Sequence, residues 1–190
     1  MLCRRGCAAG DRIYATGPLG SGSALAAAVL LGIVPPESDY RPPVRTRAGV
    51  ALRGVASACI DTSDGLVAAL DQLARLNDLA FRITAPLHRL LHPVARGMVR
   101  SGKVSPFSML AGHHGEYELV FTVPEDRTPA LSRAAADGRF TPVEIGRVEE
   151  GTGLWIGEVA VDGARIRNLL HECHGDIAAY AAGLAAEAPP

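Results

Sequence analysis

The stretch Ala58-Cys59-Ile60-Asp61-Thr62-Ser63-Asp64-Gly65-Leu66 decides how this chain is read, because an apolar run stops abruptly at two carboxylates separated by hydroxyl residues. Ala56 to Ile60 is a short run of small and apolar residues that suits a buried strand, and Val67, Leu70, Leu73 and Ala74 then recur at helical spacing. The acidic cluster is therefore expected on a strand-to-helix turn, with a helix from Asp64 to about Leu76. Thr62 or Ser63 would cap that helix and Gly65 would let the chain bend. On the residues alone two readings stay open. One is a helix cap with an acidic first turn, which the helix dipole favours. The other is a site for a hard cation such as magnesium, which takes oxygen ligands, usually one or two carboxylates together with water and substrate phosphates.

Composition narrows the class. The chain has 190 residues, 48% hydrophobic and 21% charged, with a formal net charge of −1. Those values suit one globular unit over 1–190 able to bury a substantial core. A near-neutral charge with scattered arginines argues against a nucleic-acid footprint. The longest apolar run, Ala24 to Leu31, is too short to span a bilayer, and the N-terminus lacks a signal-peptide core, so a cytoplasmic location is expected. Cysteines 3, 7, 59 and 173 do not make a disulfide framework. His171, Cys173 and His174 lack the paired spacing of structural zinc sites, and an exposed loop or helix end is expected there.

Upstream of the acidic turn, Arg12 to Thr16 reads as a strand, and Gly17-Pro18-Leu19-Gly20-Ser21-Gly22-Ser23 as a glycine-rich turn into a helix from Ala24 to Leu31. Such a turn can meet phosphate with backbone N–H groups or be a tight turn with a serine cap. It matches neither the dinucleotide-binding fingerprint nor the P-loop. Pro35 to Pro43 is a proline-rich crossing and Arg45 to Arg53 a modest helix. Downstream, Phe81 and Ile83 mark a half-buried strand, and Leu87 to Val99 reads as one helix carrying His88 and His92 a turn apart. Glu116 to Val123 reads as a long strand, and Pro124 opens a helix through Ala136. Val143 to Val148, Leu154 to Ile156 and Val159 to Val161 read as strands, and Asp176 to Ala186 as a final helix. Strands alternating with helices, with hairpin-like pieces near the end, predict an α+β domain: a mixed sheet covered by helices.

Four segments carry a resemblance to a known family. Ile60-Asp61-Thr62-Ser63-Asp64-Gly65-Leu66 closely resembles the IDISDGL signature in the second domain of thiamine-monophosphate kinases. Gly10 to Gly20 is similar to that family's GD-(hydrophobic)-TG-x-LG opening. Gly115-Glu116-Tyr117-Glu118-Leu119 is similar to its GGEDYEL segment, and Glu144-Ile145-Gly146-Arg147-Val148 to its IG-x-V strand. The matches fall in family order and cover residues 10 to about 165. The family belongs to a superfamily with aminoimidazole ribonucleotide synthetase, selenophosphate synthetase and a hydrogenase maturation protein.

The resemblance implies the substrate-side, C-terminal domain of an ATP-dependent phosphotransferase. The partner domain, which supplies most nucleotide contacts and further magnesium ligands, is expected to be absent from this chain, so little activity is expected from it alone. By position, Asp61 and Asp64 would hold magnesium and Ser63 would touch ATP. Gly17, Gly20 and Ser21 would face phosphate, and Gly115 and Glu116 would fall in the substrate segment. Gly115 stands where the family has its substrate-contacting glutamate, so thiamine monophosphate is expected to be a poor acceptor. The partners implied are a small phosphate-bearing substrate, a separate chain supplying the other domain and, in some settings, a second copy of this chain. The alternatives are a non-catalytic binding or assembly domain, or part of another ATP-dependent enzyme of the same superfamily.

Overall fold

In a computed structural model describing residues 1–30 and 40–189, the strands in chain order are β1 (Arg12–Ala15), β2 (Ala58–Asp61), β3 (Ala80–Ile83), β4 (Leu119–Val123), β5 (Val143–Glu149), β6 (Gly153–Ile156) and β7 (Val159–Val161). They form one sheet in the order β2-β4-β1-β5-β3-β6-β7. The β3–β6 ladder is parallel and the others are antiparallel, which makes the sheet mixed. The α+β architecture expected from the sequence is the one found.

Alternation along the strands explains why helices cover both faces. In β1, Ile13 and Ala15 point into a large core while Tyr14 points into a second, smaller one. In β4, Val120 faces the large core, and Phe121 and Val123 face the small one. The helices are α1 (Ser21–Leu30), α2 (Thr46–Ala51), α3 (Leu66–Asn77), α4 (Leu87–Leu90), α5 (Pro93–Arg100), α6 (Pro106–Ala111), α7 (Thr128–Gly138), α8 (Gly163–Glu172) and α9 (Ile177–Ala186). Leu70 and Leu73 of α3, fully buried, pack with Phe81 of β3 and Ile166 of α8 at the centre of the large core. Helices α2 and α7 close the small core through Ala48, Leu131 and Ala135.

Several boundaries differ from the sequence reading, each for a local reason. The helix after the acidic turn starts at Leu66, and its N-cap is Gly65 with no side-chain cap bond, so neither Thr62 nor Ser63 caps it. The helix expected over Leu87 to Val99 is two helices. Pro93 cannot donate to a preceding turn, so Leu91 becomes extended and bridges to Leu19, and His92 caps α5. His88 and His92 therefore do not share one helical face. The strand expected from Glu116 starts at Leu119, because the chain before it is drawn into side-chain anchors described below. Pro124 opens a 3₁₀ turn, Glu125–Arg127, before α7. Helix α8 was not anticipated. Residues 31–39 of the expected proline-rich crossing lie outside the described residues.

Candidate functional site

Strand β2 ends at Asp61, where pairing with β4 runs out opposite Leu119. The next residue, Thr62, is buried, and both its N–H and its hydroxyl donate to the Glu118 carbonyl, at 2.9 and 3.1 Å. That double anchor holds Thr62 inward between Asp61, the last residue of β2, and Ser63 and Asp64. Asp61 Oδ1 accepts the Ser63 N–H at 3.0 Å. Burial pushes the Asp61 carboxyl up, but hydrogen bonds from Ser63 and its own N–H, with Arg4 nearby, more than offset it and leave it below its ordinary value. Asp64 is exposed and Ser63 half-buried. Gly65 then takes φ 88°, and a Cβ there would lie 2.8–2.9 Å from the carbonyl oxygens of Gly112 and Ala111. Only glycine lets α3 start so close to the end of α6.

The segment from His113 to Glu118 runs beside this turn and is pinned at both ends. The Glu118 carboxylate is buried, receives Arg45 Nε at 2.7 Å and Nη2 at 2.5 Å, and accepts the Thr16 hydroxyl at 2.5 Å. The Glu116 carboxylate, also buried, accepts the N–H groups of Ser21 at 3.1 Å and Gly22 at 3.0 Å. Burial raises its pKa, partly offset by those N–H groups at the start of α1. The Tyr40 hydroxyl donates to the Gly115 carbonyl at 2.9 Å. The His113 N–H donates to the Tyr180 hydroxyl of α9 at 3.0 Å. Burial holds the His113 and His114 imidazoles below their ordinary pKa.

The residues expected to face phosphate are thus placed in detail. The Ser21 N–H already has an internal carboxylate, that of Glu116. Gly17 lies against the Arg45–Glu118 pair, and Gly20 against Leu91 and Ala95. Gly115 and Glu116 occupy the same pinned segment, but Glu116 points inward. One cavity of about 540 Å³ has Asp61, Arg4, Arg45 and Tyr117 in its lining. A second, of about 570 Å³, is lined by His113, His114, Gly115, Tyr117 and Tyr180. Arg4 and Arg45 were missed by sequence reading. Each lies far along the chain from the carboxylate it serves, so no spacing pattern announces it. Among the described residues no group of three or more His, Cys, Asp or Glu is arranged to hold a metal ion, and His171, Cys173 and His174 form no such cluster. No helix among the described residues is long and apolar enough to cross a membrane.

Residues 8–156 match the family described as AIR synthase related protein, C-terminal domain. The chain belongs to that family. This AIR-synthase-related domain is 33% identical over 156 residues to the thiamine-monophosphate kinase of Methanopyrus kandleri, across 77% of this chain and 46% of the relative. The crystal structure of thiamine-monophosphate kinase from Stenotrophomonas maltophilia K279a superposes with a TM-score of 0.73 at 25% identity, covering 84% of this chain and 54% of that one. AaThiL, complexed with AMPPCP and TMP, superposes with a TM-score of 0.67 at 25% identity, covering 85% and 52%. The domain spans about half the length of the curated relatives it matches. It is accordingly a thiamine-monophosphate-kinase-like C-terminal domain of the AIR-synthase-related family.

Proposed function

We propose that this chain is the substrate-side, C-terminal domain of an ATP-dependent phosphotransferase resembling thiamine-monophosphate kinase, with Asp61 and Asp64 as magnesium ligands and Ser63 as an ATP contact. The observation that carries this reading is the acidic turn itself. Asp61 ends β2 and lines a cavity together with Arg4 and Arg45, and Asp64 stands exposed three residues on, past the buried Thr62–Glu118 contact.

The donors fit magnesium. They are hard carboxylate oxygens, Asp61 is held ionised, and two carboxylates are the usual protein share of a magnesium site that is completed by phosphates and water. When bound, the ion would neutralise charge on a transferring phosphoryl group. The chain's own contribution is positioning. Glu118 fixes the turn, and Arg45 neutralises the buried Glu118 carboxylate beside it. No general base is required, because phosphoryl transfer is driven mainly by alignment and charge neutralisation. The remaining nucleotide contacts and metal ligands come from the half of the relatives that this chain does not span. A reaction using ATP and magnesium suits the cytoplasm.

The test is a fusion of the N-terminal half of the Methanopyrus kandleri enzyme to this domain, assayed with ATP, magnesium and thiamine monophosphate. The fusion should turn over, the 190-residue chain alone should fall far below the roughly 1 per second ordinary for kinases, and Asp61→Asn should abolish turnover in the fusion. Turnover unaffected by Asp61→Asn and Asp64→Asn would refute the metal assignment. Gly115, where a substrate carboxylate is expected by resemblance, favours one second reading, a non-catalytic binding domain. A folded fusion that binds nucleotide but transfers no phosphate to any monophosphate tested would establish it.

A further inference from the structure

A tyrosine is a poor choice for left-handed backbone, since its Cβ crowds the carbonyl oxygen there, and such outliers persist only where their surroundings impose them. Tyr117 nevertheless has φ 55°. The imposing contacts are on either side: Glu116 is bound to the start of α1, and Glu118 to Arg45 and Thr16. Held between two inward-pointing carboxylates, Tyr117 has to point outward. The residue is 46% exposed, unusual for a large aromatic residue beside a buried network.

The ring is not loose on the surface. One edge of it sits against Gly115, where a Cβ would come within 3.0 Å of its Cε2. It also borders both cavities, the one that includes Asp61 and Arg45 and the one that includes His113 and Tyr180. A ligand spanning from one to the other would meet this residue on the way. The second cavity adds Tyr40 and Tyr180 and the apolar Leu25 and Leu170. That lining suits an aromatic body better than a sugar or an aliphatic polyol.

We propose that Tyr117 is the stacking platform for the planar heteroaromatic ring of a phosphate-bearing ligand, with the ligand's phosphate directed toward the acidic turn. The direction of the phosphate rests on the phosphotransferase reading. The stacking does not. The empty position at Gly115 is what gives the ring its place, so an aromatic face stands where the resemblance would put a carboxylate.

The experiment is saturation-transfer difference NMR on the 190-residue chain, with thiamine monophosphate and adenosine monophosphate as ring-bearing probes and ribose 5-phosphate as a ringless one. Saturation should reach the ring protons of the first two, and ribose 5-phosphate should bind at least tenfold more weakly. Tyr117→Phe should preserve binding, whereas Tyr117→Ala should weaken it by about tenfold, as loss of one stacking face does. Tyr117→Asn, which accepts left-handed backbone, repeats the ring deletion should the alanine variant fold poorly. Unchanged binding in the folded ring-deleted variant, equal loss in Tyr117→Phe, equal binding of ribose 5-phosphate, or no saturation of either ring probe would each overturn the platform. Those results are separable from the metal assignment: a fusion enzyme that loses activity with Asp61→Asn but keeps it with Tyr117→Ala has a functional acidic turn and no platform.

Discussion

Arg45 grips the carboxylate of Glu118 with both arms of its guanidinium, Nε to Oε2 at 2.7 Å and Nη2 to Oε1 at 2.5 Å, while the carbonyl of the same glutamate holds Thr62 in the acidic turn. The Glu118 side chain is 5% exposed and that of Arg45 23%, so this is an ion pair largely withdrawn from water. Removing one member strands a buried charge, which costs about 3 kcal/mol. Arg45→Met should lower unfolding free energy by that amount in urea titrations and shift the amide resonances of residues 61–65. Arg45→Met combined with Glu118→Gln should recover most of the loss, because no charge is then left unpaired. A cost below about 1 kcal/mol for the single variant would mean that Thr16 and solvent suffice.

Glu116 gives a pH signature of definite sign. Its carboxyl is raised above the ordinary 4.5, chiefly by burial. A group raised in the folded state contributes stability that is complete below its unfolded pKa and is lost as pH climbs through the folded value. Glu116→Gln cannot ionise and keeps one carbonyl to accept from Ser21 or Gly22. The melting temperature of the variant relative to the parent should therefore rise between pH 4 and the raised pKa, then level off. If the difference falls over that range, the N–H groups at the start of α1 stabilise the charged form more than burial penalises it.

The strand-to-helix turn was readable because its signals are local: an apolar run, two carboxylates, a glycine and a helical period. The seven strands among the described residues lie within a few residues of where alternation and turn residues put them, yet their order, which sets β2 at the edge beside β4, depends on pairings that no local pattern encodes. The single helix read over Leu87 to Val99 failed because the apolar period continues through Pro93, which the backbone cannot. Helix α8 carried a usable signal in Asp162, whose side chain caps it by accepting from Ala164 and Arg165, with Ile166 and Leu169 three apart behind it. The position of Asp61, Ser63 and Asp64 at a strand-to-helix turn was legible. Glu116 was named for substrate but serves the start of α1, and Arg45 meets Glu118 across 73 residues of sequence, beyond any spacing rule.

Restoring a glutamate at position 115 is the obvious way to recover a substrate carboxylate, and the geometry opposes it. Gly115 has φ 66°, and a Cβ there would press on the Tyr117 ring at 3.0 Å. Gly115→Glu should cost on the order of 1–2 kcal/mol of stability from left-handed strain alone. It should leave use of thiamine monophosphate by the fusion enzyme unimproved, because the new side chain displaces the Tyr117 ring on which the substrate stacks. A single Gly115→Glu variant with full stability and improved turnover would show that the ring moves aside freely.

The most direct measurement on the acidic turn is paramagnetic broadening of backbone amide resonances in the 190-residue chain by substoichiometric manganese(II), a hard cation that stands in for magnesium and reveals weak binding residue by residue. The amides of residues 61–65 should broaden selectively, more strongly with AMPPCP present, and the effect should vanish in Asp61→Asn and Asp64→Asn proteins of unchanged melting temperature. Broadening centred elsewhere, as at His171 to His174, or none at residues 61–65, would mean that the two carboxylates hold no metal and that the metal-binding role assigned to this turn is wrong.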